Sequence, residues 1–355
     1  MSLFKRKEKA TGEILAGGES AIANKEVEGL SQGQIVRRRF FRHRAAVGAL
    51  IILTSLILFV MTALDTKIGP IRIPGWWKWT TEDIPALRFE DCPGGTTGCP
   101  TLSLKPGSSF GMGTHPFGQD DIGRDYFALV MNGARRSLMI MFVIGAVAGF
   151  IGVVVGSIAG FYGKMVDAVL MRLVDFIQTV PTIIIAAVIG KAAGKVGPLY
   201  LALFLGILGW TGLARLVRAQ FLSLREMEFV DAARVAGASN IRIAFKHILP
   251  NAVGQIIVAV TLIMAGAILT ETALSYLGFG VVAPDVSLGL LISQYESSFT
   301  TRPWLFWWPG LFIISIALCV NFIGDGLRDA FDPRQRRRIT KKDRLQAKVQ
   351  AKAGA

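Results

Sequence analysis

Few side chains in this 355-residue chain are set where they could do chemistry. Thr270-Glu271-Thr272 places one acid between two hydroxyls inside an otherwise apolar run. Charge is costly in such a run, so Glu271 and Thr272 mark either a translocation path or an acid hydrogen-bonded between helices, and both readings stand. Gln178 and Thr179 lie beside Pro181 in a second apolar run. A helix broken there would offer polar groups to a path, or would simply kink. His115, Asp120, Asp121 and Asp125 look at first like a metal or hydrolytic centre. The Pro and Gly residues between them suit a capped turn instead, and no Ser-His-Asp or His-Glu-x-x-His spacing supports catalysis. With three histidines in the whole chain, no catalytic residue and no metal site are expected. Cys92 and Cys99 sit in a Pro/Gly-rich stretch. On an oxidising side they would form a disulfide closing a small loop, worth about 2–3 kcal/mol by loop entropy.

The elements that must position these groups belong to a membrane. The chain is 52% hydrophobic with a net charge of +14. Six apolar runs are long enough, or nearly so, to cross ~30 Å of hydrocarbon. They are Ala45–Leu64, Ser137–Tyr162, Leu170–Ile189, Leu199–Val217, Ala252–Leu277 and Trp304–Ile323. The expected fold is an all-α polytopic membrane protein with six transmembrane helices. Lys/Arg outnumber Asp/Glu ten to five in 1–44, six to three in 215–247 and ten to four in 325–355, but not in 65–130, where they are six to eight. Basic loops stay inside, so both termini and the 215–247 loop are expected to be cytoplasmic and 65–133 extracytoplasmic, an insertion after the first helix. The basic balance therefore reads as topology and not as affinity for nucleic acid.

This divides the chain into a basic arm (1–44), a first span (45–64), the outer segment (65–133), a core of five further spans (134–330) and a basic tail (331–355). Residues 1–30 have no period and read as disordered. Arg37 to Arg44 reads as an anchor on anionic lipid headgroups. Glycines at 145, 149, 152, 156 and 160 share one helix face, which lets another helix approach to backbone contact. Asp167, Arg172 and Asp175 are expected to pair or to face protein. Trp76, Trp77 and Trp79 suit either the membrane interface or a docking partner.

Between the fourth and fifth runs lies a polar loop, 220–250. Glu228 to Ala236 forms a short amphipathic helix with Phe229, Ala232, Ala233 and Ala236 on one face. Gly237 stops it, and a second helical stretch, Asn240 to Ile248, runs into Pro250, where a new apolar segment begins. The string EFVDAARVAGASNIRIAFKHILPN resembles the EAA loop of permease subunits in ABC importers, most closely the C-type subunit of the dipeptide, oligopeptide and nickel branch. Asp231 stands where the general motif has Glu, and His247 where it has an apolar residue. The leader H-P-F-G-Q-D-D-I-G-R-D, with Gln119 for the usual Thr, the string E-T-A-L-S-Y-L-G-F-G and the ending G-D-G-L-R-D-A-F-D-P-R resemble the same family.

The resemblance implies the type I ABC-importer permease fold. It also implies a heterodimer with a second permease subunit, two ABC ATPase subunits that bind ATP and Mg, and an extracytoplasmic substrate-binding protein. In that scheme Phe229, Ala232 and Ala233 fill a groove on the ATPase, Glu228 and Asp231 meet its polar or basic groups, and Gly237 sets the elbow. The chain itself has no G-x-x-x-x-G-K-S/T phosphate loop, so it is expected to carry no cofactor and no ATPase activity. Leu30-Ser31-Gln32-Gly33-Gln34 resembles the ABC ATPase signature only by coincidence. The expected cargo is di- or oligopeptides, with nickel chelates or glutathione as alternatives on the same scaffold, in a bacterial or archaeal cytoplasmic membrane. A rival from another class is an ion-coupled secondary transporter using Glu271.

Overall fold

The computed structural model describes residues 32–68, 71–87, 92, 97–102, 113–193 and 197–331. The arm before residue 32 and the basic tail after 331 lie outside that set. The chain divides into two compact units, one of Met1–His43 with Arg328–Ala355 and one of Arg44–Leu327. In the first, α1 (Gln32–Arg42) ends on Arg39 and Arg42, and His43 Nε2 lies 3.4 Å from Asp329 Oδ2.

The second unit begins with α2 (Arg44–Ala63), the first apolar span. Two three-residue strands follow, β1 (Thr66–Ile68) and β2 (Ile71–Ile73), paired antiparallel with Thr66 opposite Ile73. This hairpin is a small exception to an all-helical expectation, formed where β-branched residues alternate along both strands.

The central element is α3 (Tyr126–Tyr162), which begins well before the expected Ser137. At 1.5 Å per residue it runs about 55 Å, so part of it must project beyond the hydrocarbon. Burial holds the extra turns, since Tyr126, Phe127 and Ala128 are wholly enclosed. Arg135 is used rather than tolerated there: its Nη2 donates to the carbonyls of Met61 (3.3 Å) and Leu64 (3.1 Å) at the end of α2, where helix carbonyls lack partners.

The glycine face of α3 serves two neighbours. A Cβ at Gly156 would stand 2.5 Å from the Ala214 carbonyl oxygen, and one at Gly145 would stand 2.3 Å from Met264 Cγ. At Gly156 the backbones therefore meet, and at Gly145 the Met264 side chain packs where a Cβ would stand.

The third and fourth runs are bent pairs. α4 (Lys164–Thr179) and α5 (Thr182–Ala193) meet at 72°. Val180 is extended between them, as the residue before Pro181 prefers. α6 (Pro198–Gly209) and α7 (Thr211–Leu224) meet at 42° at Trp210, a bend no proline announces. The loop helices α8 (Glu228–Val235) and α9 (Asn240–Arg242) come next, then a π-helical turn, Ile243–Ile248, and α10 (Leu249–Tyr276). Pro250 does not start a separate segment, as expected from its sequence, because the helix is continuous from Asn240 to Tyr276. The wide turn, with Leu249 N–H bonded to Ala244 O, leaves room for a ring that would clash in an α-turn.

α11 (Leu288–Tyr295) is a short helix at the end of the molecule away from α8, and α12 (Trp304–Phe331) is the last span. Pro309 inside α12 deprives the Leu305 carbonyl of its usual donor, and the Tyr126 hydroxyl donates to it instead. Among the described residues, four helices are long and apolar enough to cross a membrane, and counting each bent pair as one span gives up to six.

Candidate coupling site

The polar loop folds into a rigid knob. Met227 is extended, and its carbonyl accepts from Val230 N–H at 2.9 Å as α8 begins. At the other end Gly237 has φ +78°, a conformation that costs a residue with a Cβ about 1–2 kcal/mol. Gly237 N–H bonds to Arg234 O (2.9 Å) and Ala238 N–H to Ala233 O (3.0 Å), the paired bonds of a Schellman stop. Ser239 then caps α9, accepting from Arg242 N–H at 3.4 Å. The elbow expected at Gly237 is thus a defined backbone turn.

The faces of α8 differ from expectation at one position. Ala233 does not stand with the outward set; with Val230 it is buried against Phe221, Ile243 and Ile248. At 100° per residue Ala233 lies about 40° from Phe229 and about 60° from Val230, so the apolar arc spans both faces and the core takes its share. The outward surface carries Phe229, Ala232 and Val235, the last 91% exposed, with Glu228, Asp231 and Gly237 around them. Ile241 and Phe245, four apart and 68% and 63% exposed, extend this surface. Their i, i+4 spacing was the available sign. Asp231 meets Arg234 at 3.1 Å, an exposed pair of little energetic weight.

The groups considered for a path are placed differently. Gln178 Nε2 donates to Thr211 Oγ1 at 2.9 Å, joining α4 to α7. Thr272 Oγ1 turns back to the Ile268 carbonyl. Glu271 is fully enclosed within this chain and accepts from Ser137 Oγ (3.1 Å) and Ser275 Oγ (2.8 Å). Ser137 and Ser275 in turn accept from Leu288 N–H and Val281 N–H, and Ser287 Oγ lies 3.4 Å from Ser275 Oγ. One acid therefore ties α3 and α10 to the entrance of α11. Ser275 lies one turn further along α10, but Ser137 comes from a distant part of the chain, and nothing local to Glu271 marks it as a partner.

At the far end, the His/Asp group forms the start of α3. Asp125 caps it, accepting from Ala128 N–H at 2.9 Å, and also binds His115 Nδ1 (2.7 Å) and Trp77 Nε1 (2.7 Å). Trp79 stacks on the His115 ring. Trp77 and Trp79 thus serve the chain's own fold, whereas Trp76 remains half exposed. Asp120 accepts from Arg124 Nε (2.6 Å) and from the Tyr295 hydroxyl (3.1 Å). Burial, with the Asp120 carboxylate nearby, raises the Tyr295 phenol above its ordinary pKa and keeps it a donor. Cys92 and Cys99 form a disulfide with Cα atoms 5.5 Å apart.

The helical core and its capped, outward-facing two-helix loop fall in a chain with known relatives. Residues 152–337 match the family described as binding-protein-dependent transport system inner membrane component, and residues 31–66 match the N-terminal TM domain of oligopeptide transport permease C. The chain belongs to this family and is a permease subunit of an ABC importer. It is 37% identical over 311 residues to the oligopeptide transport system permease protein OppC of Escherichia coli, covering 88% of this chain and 94% of that one. It is 35% identical over 315 residues to the OppC protein of Haemophilus influenzae (89% and 93% covered), and 37% identical over 307 to that of Mycobacterium tuberculosis (86% and 96%). An inward-facing structure of the MetNI methionine ABC transporter overlays with a TM-score of 0.47 at 20% identity, covering 57% of this chain and 96% of that chain.

Proposed function

We propose that this chain is half of the translocation pathway of an ATP-driven importer of di- and oligopeptides, coupled to ATPase subunits through α8. One observation carries the coupling role. Phe229, Ala232 and Val235 are apolar, outward and held on a helix closed at Gly237, which is what a groove on a partner can grip. Glu228 and Asp231, over the positive end of the helix, would meet basic or polar groups on that partner. The relatives named as oligopeptide permeases support the choice of cargo.

In this reading the loop and both termini are cytoplasmic, in a bacterial or archaeal cytoplasmic membrane. A second permease subunit completes the pathway, two ATPase subunits bind ATP and Mg, and an extracytoplasmic binding protein delivers the peptide. Closure of the ATPases would shift the groove, and α8, being rigid, would pass the shift to α7 and α10 on either side of it.

The test is purification of the tagged chain with its partners, followed by uptake of a labelled tripeptide and ATP hydrolysis in liposomes. A charge placed in the grip, Ala232→Arg, should strip the ATPase subunits. Gly237→Val should keep them but hydrolyse ATP with uptake lost. A chain that keeps its ATPases despite Ala232→Arg, or takes up peptide normally with Gly237→Val, refutes the coupling role.

A further inference from the structure

Coupling leaves open how motion at α8 reaches the parts of the chain that bend. α7 leads directly into the loop, and across it runs α4, antiparallel and joined by three polar contacts. Arg218 clasps Asp167 with both Nε and Nη2, Arg215 Nη2 meets Asp175 Oδ1 at 2.5 Å, and Gln178 Nε2 meets Thr211 Oγ1 at 2.9 Å. Of the two ion pairs, Asp167–Arg218 is the more enclosed. α3 seats α7 from another side. A Cβ at Gly160 would lie 2.7 Å from the Arg218 carbonyl oxygen, so nothing soft separates the two backbones.

The contacts stop where both helices break. Gln178 is two residues before the extended Val180, and Thr211 directly follows the bend at Trp210. α5 and α6, beyond those breaks, carry none of the three. Charges inside an apolar segment are kept only when something repays their desolvation, and here they fasten one half of each bent pair to the other.

We infer that Asp167 and Arg218, supported by Asp175–Arg215 and Gln178–Thr211, are positioning residues that make α4 and α7 one lever. The lever transmits the movement of α8 and swings about Val180-Pro181 and Trp210, while α5 moves relative to it. This rests on the coupling role of α8 proposed above, and adds which residues carry the stroke past the loop.

The experiment uses the assembled complex, with Cys319 replaced by Ser and spin labels on two exposed pairs, Ser223 with Phe176 and Ser223 with Ile184. Distances are read without nucleotide and with ATP and vanadate. A lever predicts a constant 223–176 distance and a shifted 223–184 distance. Asp167→Arg or Arg218→Asp alone should broaden the 223–176 distribution and make it nucleotide-dependent, and the exchanged pair, Asp167→Arg with Arg218→Asp, should restore it. A merely local stabilising contact would not tie that distance to the nucleotide state. A 223–176 distance that shifts with nucleotide in the unmodified pair, a 223–184 distance that never shifts, or single variants indistinguishable from wild type overturns the lever. Absence of ATPase subunits from the preparation refutes the coupling role and the lever together, whereas a failed distance pattern in an assembled complex refutes the lever alone.

Discussion

Replacing Glu271 tests whether its enclosure is structural. In Glu271→Ala the hydroxyls of Ser137 and Ser275 lose their acceptor inside the core, because each already accepts from a backbone N–H. Two orphaned polar groups at about 1–3 kcal/mol each give about 2–6 kcal/mol. Hydrogen bonds in membrane interiors run weaker, ~0.6 kcal/mol on average, which moves the expectation to about 2–3 kcal/mol. Glu271→Gln keeps the volume and one acceptor oxygen, and its amide can donate to the second serine oxygen. That serine's own hydroxyl then loses its acceptor, one orphan where alanine leaves two, so Gln should cost about half as much as Ala. Cys319, buried in the last span, offers the assay: its reaction with a thiol reagent during heating follows loss of the fold. The expected order is wild type, then Gln, then Ala, with peptide uptake by the Gln variant kept. An Ala variant as heat-resistant as wild type refutes the tie between α3, α10 and α11. A Gln variant that is stable but takes up nothing returns Glu271 to the translocation path.

Three further outcomes follow from contacts elsewhere. Gly156→Ala should destabilise the chain by about 1–3 kcal/mol, since its Cβ would stand 2.5 Å from a backbone oxygen of α7 and strain must spread. Gly212→Ala, with open space around its Cβ, should be neutral or stabilising by about 0.5–1 kcal/mol, and heating the two variants side by side separates close approach from helix propensity. Trp77→Phe keeps the packing on Phe127 but loses the bond to Asp125, a loss of about 1–3 kcal/mol. Faster proteolysis within 74–125, with the spans intact, is the expected sign.

The spans were legible because apolar length is a local property. So were the break at Pro181, the glycine face of α3 and the stop at Gly237, each of which follows from the stereochemistry of one residue type at a known spacing. What stayed hidden depends on partners far along the chain. α3 starts at Tyr126 because buried packing and the Asp125 cap hold turns that hydropathy alone assigns to a loop. The bend at Trp210 has no proline to announce it, and the flanking Gly209 and Gly212 permit a bend without setting its angle.

Ala233 shows the limit most clearly. A helical wheel places it correctly, yet cannot tell which edge of an apolar arc meets the protein's own core and which meets a partner. In the proposed coupling, the arc on α8 is wide because it would serve both. Val230 and Ala233 fix the helix to Phe221 and Ile248, and Phe229 and Ala232 are left to project. A helix attached on one face and gripped on the other can carry force in either direction without melting. One with the same four residues all turned outward would have nothing holding it to the spans. The inward turn of Ala233 therefore removes it from the groove contacts expected of it and, in the proposed coupling, leaves it to hold α8 to the spans.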